Sequence, residues 1–227
     1  MAVHVRPPAD PVGEALRGPQ ARFAQWRGRV GRYDPEVSIF YAHPEVLEPR
    51  DWADLREVAG PGSTVGLRGY AGPLPTGWTH LRTFRLLMYS GAHVQPQVDD
   101  DTVVLGAADV DEMLAVIAET QPGPFARRTV ELGTYRGLRD TDGRLIAMAG
   151  ERMRPPGWGE ISAVATLPRA RGRGLAQRLI RAVAADITAR GDLPFLHTTA
   201  DNPAHALYEH MGFELVEEVD LAIVEVP

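Results

Sequence analysis

The sequence contains neither cysteine nor lysine. Without cysteine there is no disulfide, no thiolate metal ligand and no thiol to form a covalent acyl intermediate. Without lysine, a Schiff-base mechanism and a Walker-type phosphate loop are both excluded, because each depends on that amine. All 24 basic residues are therefore arginine, and 30 acidic residues outweigh them to give a formal net charge of -6. That balance disfavours a nucleic-acid partner, whose binding rests mainly on neutralising phosphates. Long apolar runs are missing too. No stretch approaches the roughly 18 residues of a membrane span, and the opening MAVHVRPPADP lacks the apolar centre of a secretory signal. A cytoplasmic protein with no membrane or nucleic-acid partner is the expectation.

What is present is an ordinary globular composition, 44% hydrophobic and 24% charged over 227 residues. The pattern divides near residue 100. In the first region, Leu16, Phe23, Trp26 and Val30 predict a glycine-interrupted helix over 11–32. VSIFYA, STVGLRGY and WTHLRTFRLLMYS read as strands, and DWADLREVA reads as a short helix with Asp51 as its N-cap. No catalytic constellation stands out in residues 1–100, which read as a smaller α/β scaffold or lid. QPQVDDD at 95–101 marks the boundary as a solvated acidic turn.

Residues 101–227 alternate differently. AADVDEMLAVIAET and FARRTVEL predict helices, and Thr141-Asp142-Gly143 predicts a turn between the strands TYRGLRD and RLIAMAGERM. EISAVATL is a buried strand. A helix through Arg190, the strand PFLHTTA, a short helix around AHALYEHM and two last strands, ELVEEV and LAIVEV, follow. The order predicts an α/β domain with a mixed sheet.

Two stretches carry chemistry. LPRARGRGLAQRLI at 167–180 lies between a buried strand and an amphipathic helix, so it is an ordered turn and not a disordered Arg/Gly tail. A helix N-terminus offers unpaired N–H groups to an anion, Gly172 and Gly174 let the backbone come close, and Arg171 and Arg173 add charge-assisted contacts. A dinucleotide GxGxxG fails, because Gln177 stands where the third glycine belongs. The second stretch, DNPAHALYEHMGFEL at 201–215, would project Tyr208 from the middle of a helix that Gly212 ends before Phe213.

Together these motifs resemble the GNAT superfamily of N-acyltransferases. Arg171-Gly172-Arg173-Gly174-Leu175-Ala176 matches its acyl-CoA loop, and Asn202, Tyr208, Gly212 and Phe213 match its C-terminal signature. The similarity is closest to the FR47-like branch, in which GERM, a proline-glycine loop and EIS precede the loop, as Gly150 to Met153 and Glu160 to Ser162 do here. The resemblance implies a GNAT fold over 101–227, with 1–100 as an accompanying half that in this branch is sometimes a degenerate copy. It implies acetyl-CoA as co-substrate, no metal, and a small-molecule or peptide amine as acceptor; homodimers are common in such folds. Val164 and Thr166 would line the pantetheine arm and thioester. Arg171, Gly172, Arg173, Gly174, Leu175 and Ala176 would hold the pyrophosphate, Asn202 would touch the pantetheine or the loop, and Tyr208 would protonate the CoA sulfur. Glu160 lies 11 positions before Arg171, where several members place a general-base glutamate. The alternatives for Glu160 are a strand-end glutamate exposed beside the Trp158-Gly159 turn, or one that only orients a substrate ammonium. His197 is a second candidate base, and His205 and His210 read as polar surface. A non-catalytic acyl-CoA sensor is the other reading of the same loop.

Overall fold

The computed structural model describes residues 5–227. Five α-helices and eleven strands run along the described residues. The N-terminal part contains α1 (Pro11–Arg17), β1 (Ala24–Arg27), β2 (Val30–Tyr33), β3 (Tyr41–Ala42), α2 (Pro49–Ala59), β4 (Thr64–Arg68) and β5 (Thr79–Ser90). The rest contains β6 (Val103–Leu105), α3 (Val110–Thr120), β7 (Tyr135–Arg139), β8 (Leu145–Glu151), β9 (Trp158–Thr166), α4 (Leu175–Ala189), β10 (Leu193–Thr199), α5 (His205–His210) and β11 (Glu214–Glu225). No helix among the described residues is long and apolar enough to cross a membrane.

Eight strands form one mixed sheet in the order β4-β11-β5-β10-β9-β8-β7-β6, beside a small sheet β1-β2-β3. Every neighbouring pair of the large sheet is antiparallel except β9 and β10. Those two are the ends of a strand–helix–strand unit, and α4 supplies the crossover that parallel strands need. The sheet runs across the compositional boundary near residue 100, since β4 and β5 lie within it and β5 separates β10 from β11.

Strand alternation sorts the side chains onto two faces. On one face Tyr89, Ile161 and Leu196 pack with Leu179, Val183 and Ile187 of α4 and with Met113 of α3. On the other, Met88, Trp158 and Phe195 pack with Leu16 of α1 and with Phe23, Tyr33 and Val37. A third cluster seats Trp52 and Leu55 of α2 on Val65, Leu67 and Val224 at the β4 and β11 end. All seven residues of β8 are buried, because both faces of the sheet are covered there.

Local chemistry explains where the elements differ from the sequence reading. The helix over 11–32 stops at Arg17, where Gly18 and Pro19 intervene, and the rest becomes a β1–β2 hairpin turning at Gly28 with φ 53°. The N-cap of α2 is Glu48 and not Asp51. Asp51 sits at the third helical position and accepts from the Glu48 N–H at 2.8 Å, completing a reciprocal capping box. FARRTVEL forms only a single short turn at Thr129–Leu132, and VSIFYA contributes two strand residues. The two final strands are one continuous β11 with two register shifts against β5.

Candidate active site

The parallel pairing of β9 and β10 is short. It joins Leu193 to Trp158, Pro194 to Gly159 and Phe195 to Glu160, and then stops. Beyond that point the strands share no ladder, so the sheet is open between Ile161–Thr166 and Leu196–Thr199. A bulge in β9 accompanies the opening. Against β8 the register passes from Gly150↔Ser162 to Met148↔Ala165, which leaves one extra residue on β9. Within it Ala163 has φ 51°, a left-handed conformation that costs a residue with a Cβ. Val164 and Thr166 follow the bulge, half-buried beside the opening, and the Thr166 hydroxyl is buried without a hydrogen-bond partner.

The turn after β9 leads to the N-terminus of α4. Gly172 and Gly174 both adopt left-handed φ, 75° and 74°, and a Cβ built at either would meet no atom within 4 Å. Their requirement for glycine is therefore conformational, and the space above them is open. No side chain caps α4, so its first-turn N–H groups remain available to an anion. Arg171 and Arg173 are exposed, Leu175 is buried as the helix's anchor, and Ala176 is half-buried. The Arg171 Nε donates to the Thr166 carbonyl at 3.3 Å, which ties the loop to the end of β9.

A cavity of about 360 Å³ opens beside this loop, lined by Gln97, Asp99, Arg173, Gly174, Gln177, Arg178 and Arg181. The acidic segment before β6 is a clamp here and not a solvated linker. Arg178 donates to both oxygens of Asp99 at 2.6 and 2.8 Å and to Asp101 at 2.7 Å. The Arg178 guanidinium holds the Asp99 carboxyl below its ordinary pKa against the opposing effect of burial. Sequence reasoning missed Gln97, Gln177, Arg178 and Arg181. The signal was available for the last three, since 174, 177, 178 and 181 fall on one helical face.

Tyr208 is carried by α5, the helix that follows β10. Its ring packs on Tyr89 and Phe213, with centroids 6.3 and 6.0 Å away, and 7% of the residue is exposed. Burial raises the phenol pKa, which keeps the proton on the oxygen. No group among the described residues hydrogen-bonds that hydroxyl. Asn202 precedes α5, and its side-chain carbonyl accepts from the Ala204 N–H at 2.9 Å, leaving the amide NH₂ as its outward donor.

Glu160, the last residue of β9 paired with β10, is fully buried and not exposed at a strand end. Four donors converge on its carboxylate: Arg152 Nε at 2.8 Å, Arg152 Nη2 at 2.7 Å, His197 Nδ1 at 3.0 Å and the Met153 N–H at 3.3 Å. Burial alone would raise its pKa. The Arg152 guanidinium and the His197 ring override that and hold the carboxyl at about 2. The pairing favours the ionised carboxylate. The Arg152 guanidinium in turn lies 4.5 Å above the Phe40 ring. His197 follows on β10, edge-on to Phe195 at 5.6 Å. Glu160 and His197 thus lie on the sheet face covered by α1 and the small sheet, whereas Tyr208 lies on the face covered by α4.

The structure thus places Glu160 at the last β9–β10 pair, Val164 and Thr166 beyond it on β9, His197 beyond it on β10, the 171–176 loop after β9, and Asn202 and Tyr208 after β10. Against known proteins, the FR47-like protein family model matches residues 135–221. A GNAT-family protein from Novosphingobium aromaticivorans DSM 12444 is 38% identical with a TM-score of 0.86, over 96% of this chain and 97% of that one. A GCN5-related N-acetyltransferase from Kribbella flavida shares the fold at 19% identity and a TM-score of 0.59, over 95% of this chain and 96% of its own. No curated protein matches the chain. The identity to the Novosphingobium protein extends across nearly the whole length of both chains, so this chain belongs to the GNAT family and is an acyltransferase of the N-acetyltransferase type.

Proposed function

We propose that the enzyme transfers an acetyl group from acetyl-CoA to a primary amine by direct attack within one ternary complex. The observation that carries this reading is the opening between β9 and β10, which leads directly to the uncapped, glycine-lined N-terminus of α4. The opening suits an extended pantetheine arm, with Val164 and Thr166 offering strand backbone along it. The loop Arg171 to Ala176 suits the pyrophosphate, and the Asn202 amide adds a donor to the arm. Tyr208, still protonated because burial raises its pKa, supplies a proton to the departing thiolate. Glu160 belongs to the same centre as a fixed negative charge. The absence of cysteine leaves direct transfer as the economical route.

In this reading residues 101–227 carry the CoA machinery. Residues 1–100 complete the sheet through β4 and β5 and wall the acceptor side through Phe40, Tyr33 and α1. Isothermal titration with acetyl-CoA, using ATP and a DNA duplex as controls, tests it. Selective binding of acetyl-CoA is expected, and a folded protein that binds none would overturn the reading.

A further inference from the structure

Three buried side chains at the opening carry polar atoms without a partner: the hydroxyls of Thr166 and Thr198 and the ring of His197, of which only the ring can take up a proton near neutrality. The His197 side chain is 8% exposed, its Nδ1 is engaged by Glu160 at 3.0 Å, and its Nε2 is buried without any hydrogen bond. Buried polar atoms are nearly always satisfied, and an orphan calls for a partner that arrives from outside the chain. Its place in the sheet says where. Phe195 is the last residue of β10 paired with β9, so His197 is the next residue on that face after the strands part.

The orientation of its ring also follows from the geometry. Glu160 accepts hydrogen bonds and, as a carboxylate, donates none, so Nδ1 must carry the ring proton. In the neutral ring Nε2 is then the lone-pair nitrogen, on the side of the ring away from Glu160. Arg152 and the Met153 N–H hold the carboxylate in place, so the ring is oriented by a rigid buried group.

We infer that His197 Nε2 is the general base of the acyl transfer, with Glu160 and Arg152 as positioning residues. This rests on the ternary-complex reading above. As the amine nitrogen bonds to the thioester carbonyl carbon, its N–H proton passes to Nε2. Collapse of the tetrahedral adduct breaks the C–S bond, and the thiolate takes the Tyr208 proton. His197 then returns its proton through solvent to the tyrosinate, so both groups are restored. Base and acid approach the thioester from opposite faces of the sheet, which keeps the two proton transfers apart.

The test uses the full chain with acetyl-CoA and hydroxylamine as a defined amine probe, read by thiol release above the uncatalysed rate. His197→Gln and His197→Ala are expected to lower kcat by about a hundredfold, the usual contribution of a positioned base. The acetyl-CoA Kd by calorimetry should not change. Added imidazole should restore part of the His197→Ala rate, which a purely structural role would not predict. Nitrogen-15 spectra of histidine-labelled wild type should show one ring protonated at Nδ1 only, and Glu160→Gln should abolish that single tautomer. The inference is overturned if either His197 variant keeps kcat within threefold, if the ring is protonated at Nε2, or if a wild type that binds acetyl-CoA releases no thiol. Failure to bind acetyl-CoA would instead sink the reading beneath it.

Discussion

Replacing Glu160 by Gln changes one oxygen for an NH₂ and should be among the most costly isosteric changes in the molecule. The carboxylate has no exposure and receives four donors, while the Arg152 side chain that faces it is only 12% exposed. An amide brings two of its own donors into a ring of donors and leaves the guanidinium charge uncompensated. Breaking one side of a buried ion pair costs about 3 to 5 kcal/mol. For a chain of this size each kcal/mol is worth about 2 to 4 °C, so the melting temperature should fall by roughly 6 to 20 °C. A thermal melt followed by circular dichroism measures it. The double variant Arg152→Met, Glu160→Leu should recover most of the loss, because neither charge then remains in the interior. A pH series adds a second test. The folded carboxyl is held at about 2 against an ordinary 4.5, so it stabilises the fold above the ordinary value, and that contribution is lost as pH falls from 4.5 towards 2. It amounts to roughly 3 kcal/mol, and Glu160→Gln should lack it. A Glu160→Gln melt within about 2 °C of wild type would refute the buried pair as the source of this stability.

Two further expectations concern the CoA side. Tyr208→Phe should lower kcat by about a hundredfold with little change in melting temperature or acetyl-CoA Kd, since no described residue bonds the lost hydroxyl; an unchanged kcat would remove it as the acid. Gly174→Ala should cost about 1 to 2 kcal/mol through its φ of 74° alone, as a Cβ there meets no protein atom, and should weaken acetyl-CoA binding by about tenfold; unchanged affinity by calorimetry would separate the loop from the pyrophosphate.

The glycine loop was legible in the sequence because its chemistry is local: spacing, a flanking strand and a helix with Leu175 as its first buried residue. The same holds for the β7–β8 hairpin, where Asp140 accepts from the Asp142 and Arg144 N–H groups around Gly143. What the sequence concealed is long-range. That β5 lies between β10 and β11 depends on pairing across more than a hundred residues, and no local period encodes it. The Asp99–Arg178 clamp spans 79 positions, so its acidic half reads as linker when met alone. Glu160 was found by spacing, yet its environment depends on Arg152 and His197, 8 and 37 positions away on different strands and loops. A lone glutamate on a strand carries no mark of whether it is solvated, paired or buried. The helix expected over 11–32 failed for a nearer reason: apolar spacing persisted through Gly18-Pro19 and Gly28, where the backbone turns.

The central claim is that one opening in the sheet delivers an acetyl group to an amine without an acyl-enzyme. It is tested most directly by incubating the full chain with acetyl-CoA and a mixture of primary amines, then reading free thiol alongside the masses of amines and protein. The account predicts an amine heavier by one acetyl group, thiol released in equal amount, and protein of unchanged mass. Thiol release with every amine unmodified, or an acetyl group left on the protein ahead of transfer, would contradict it.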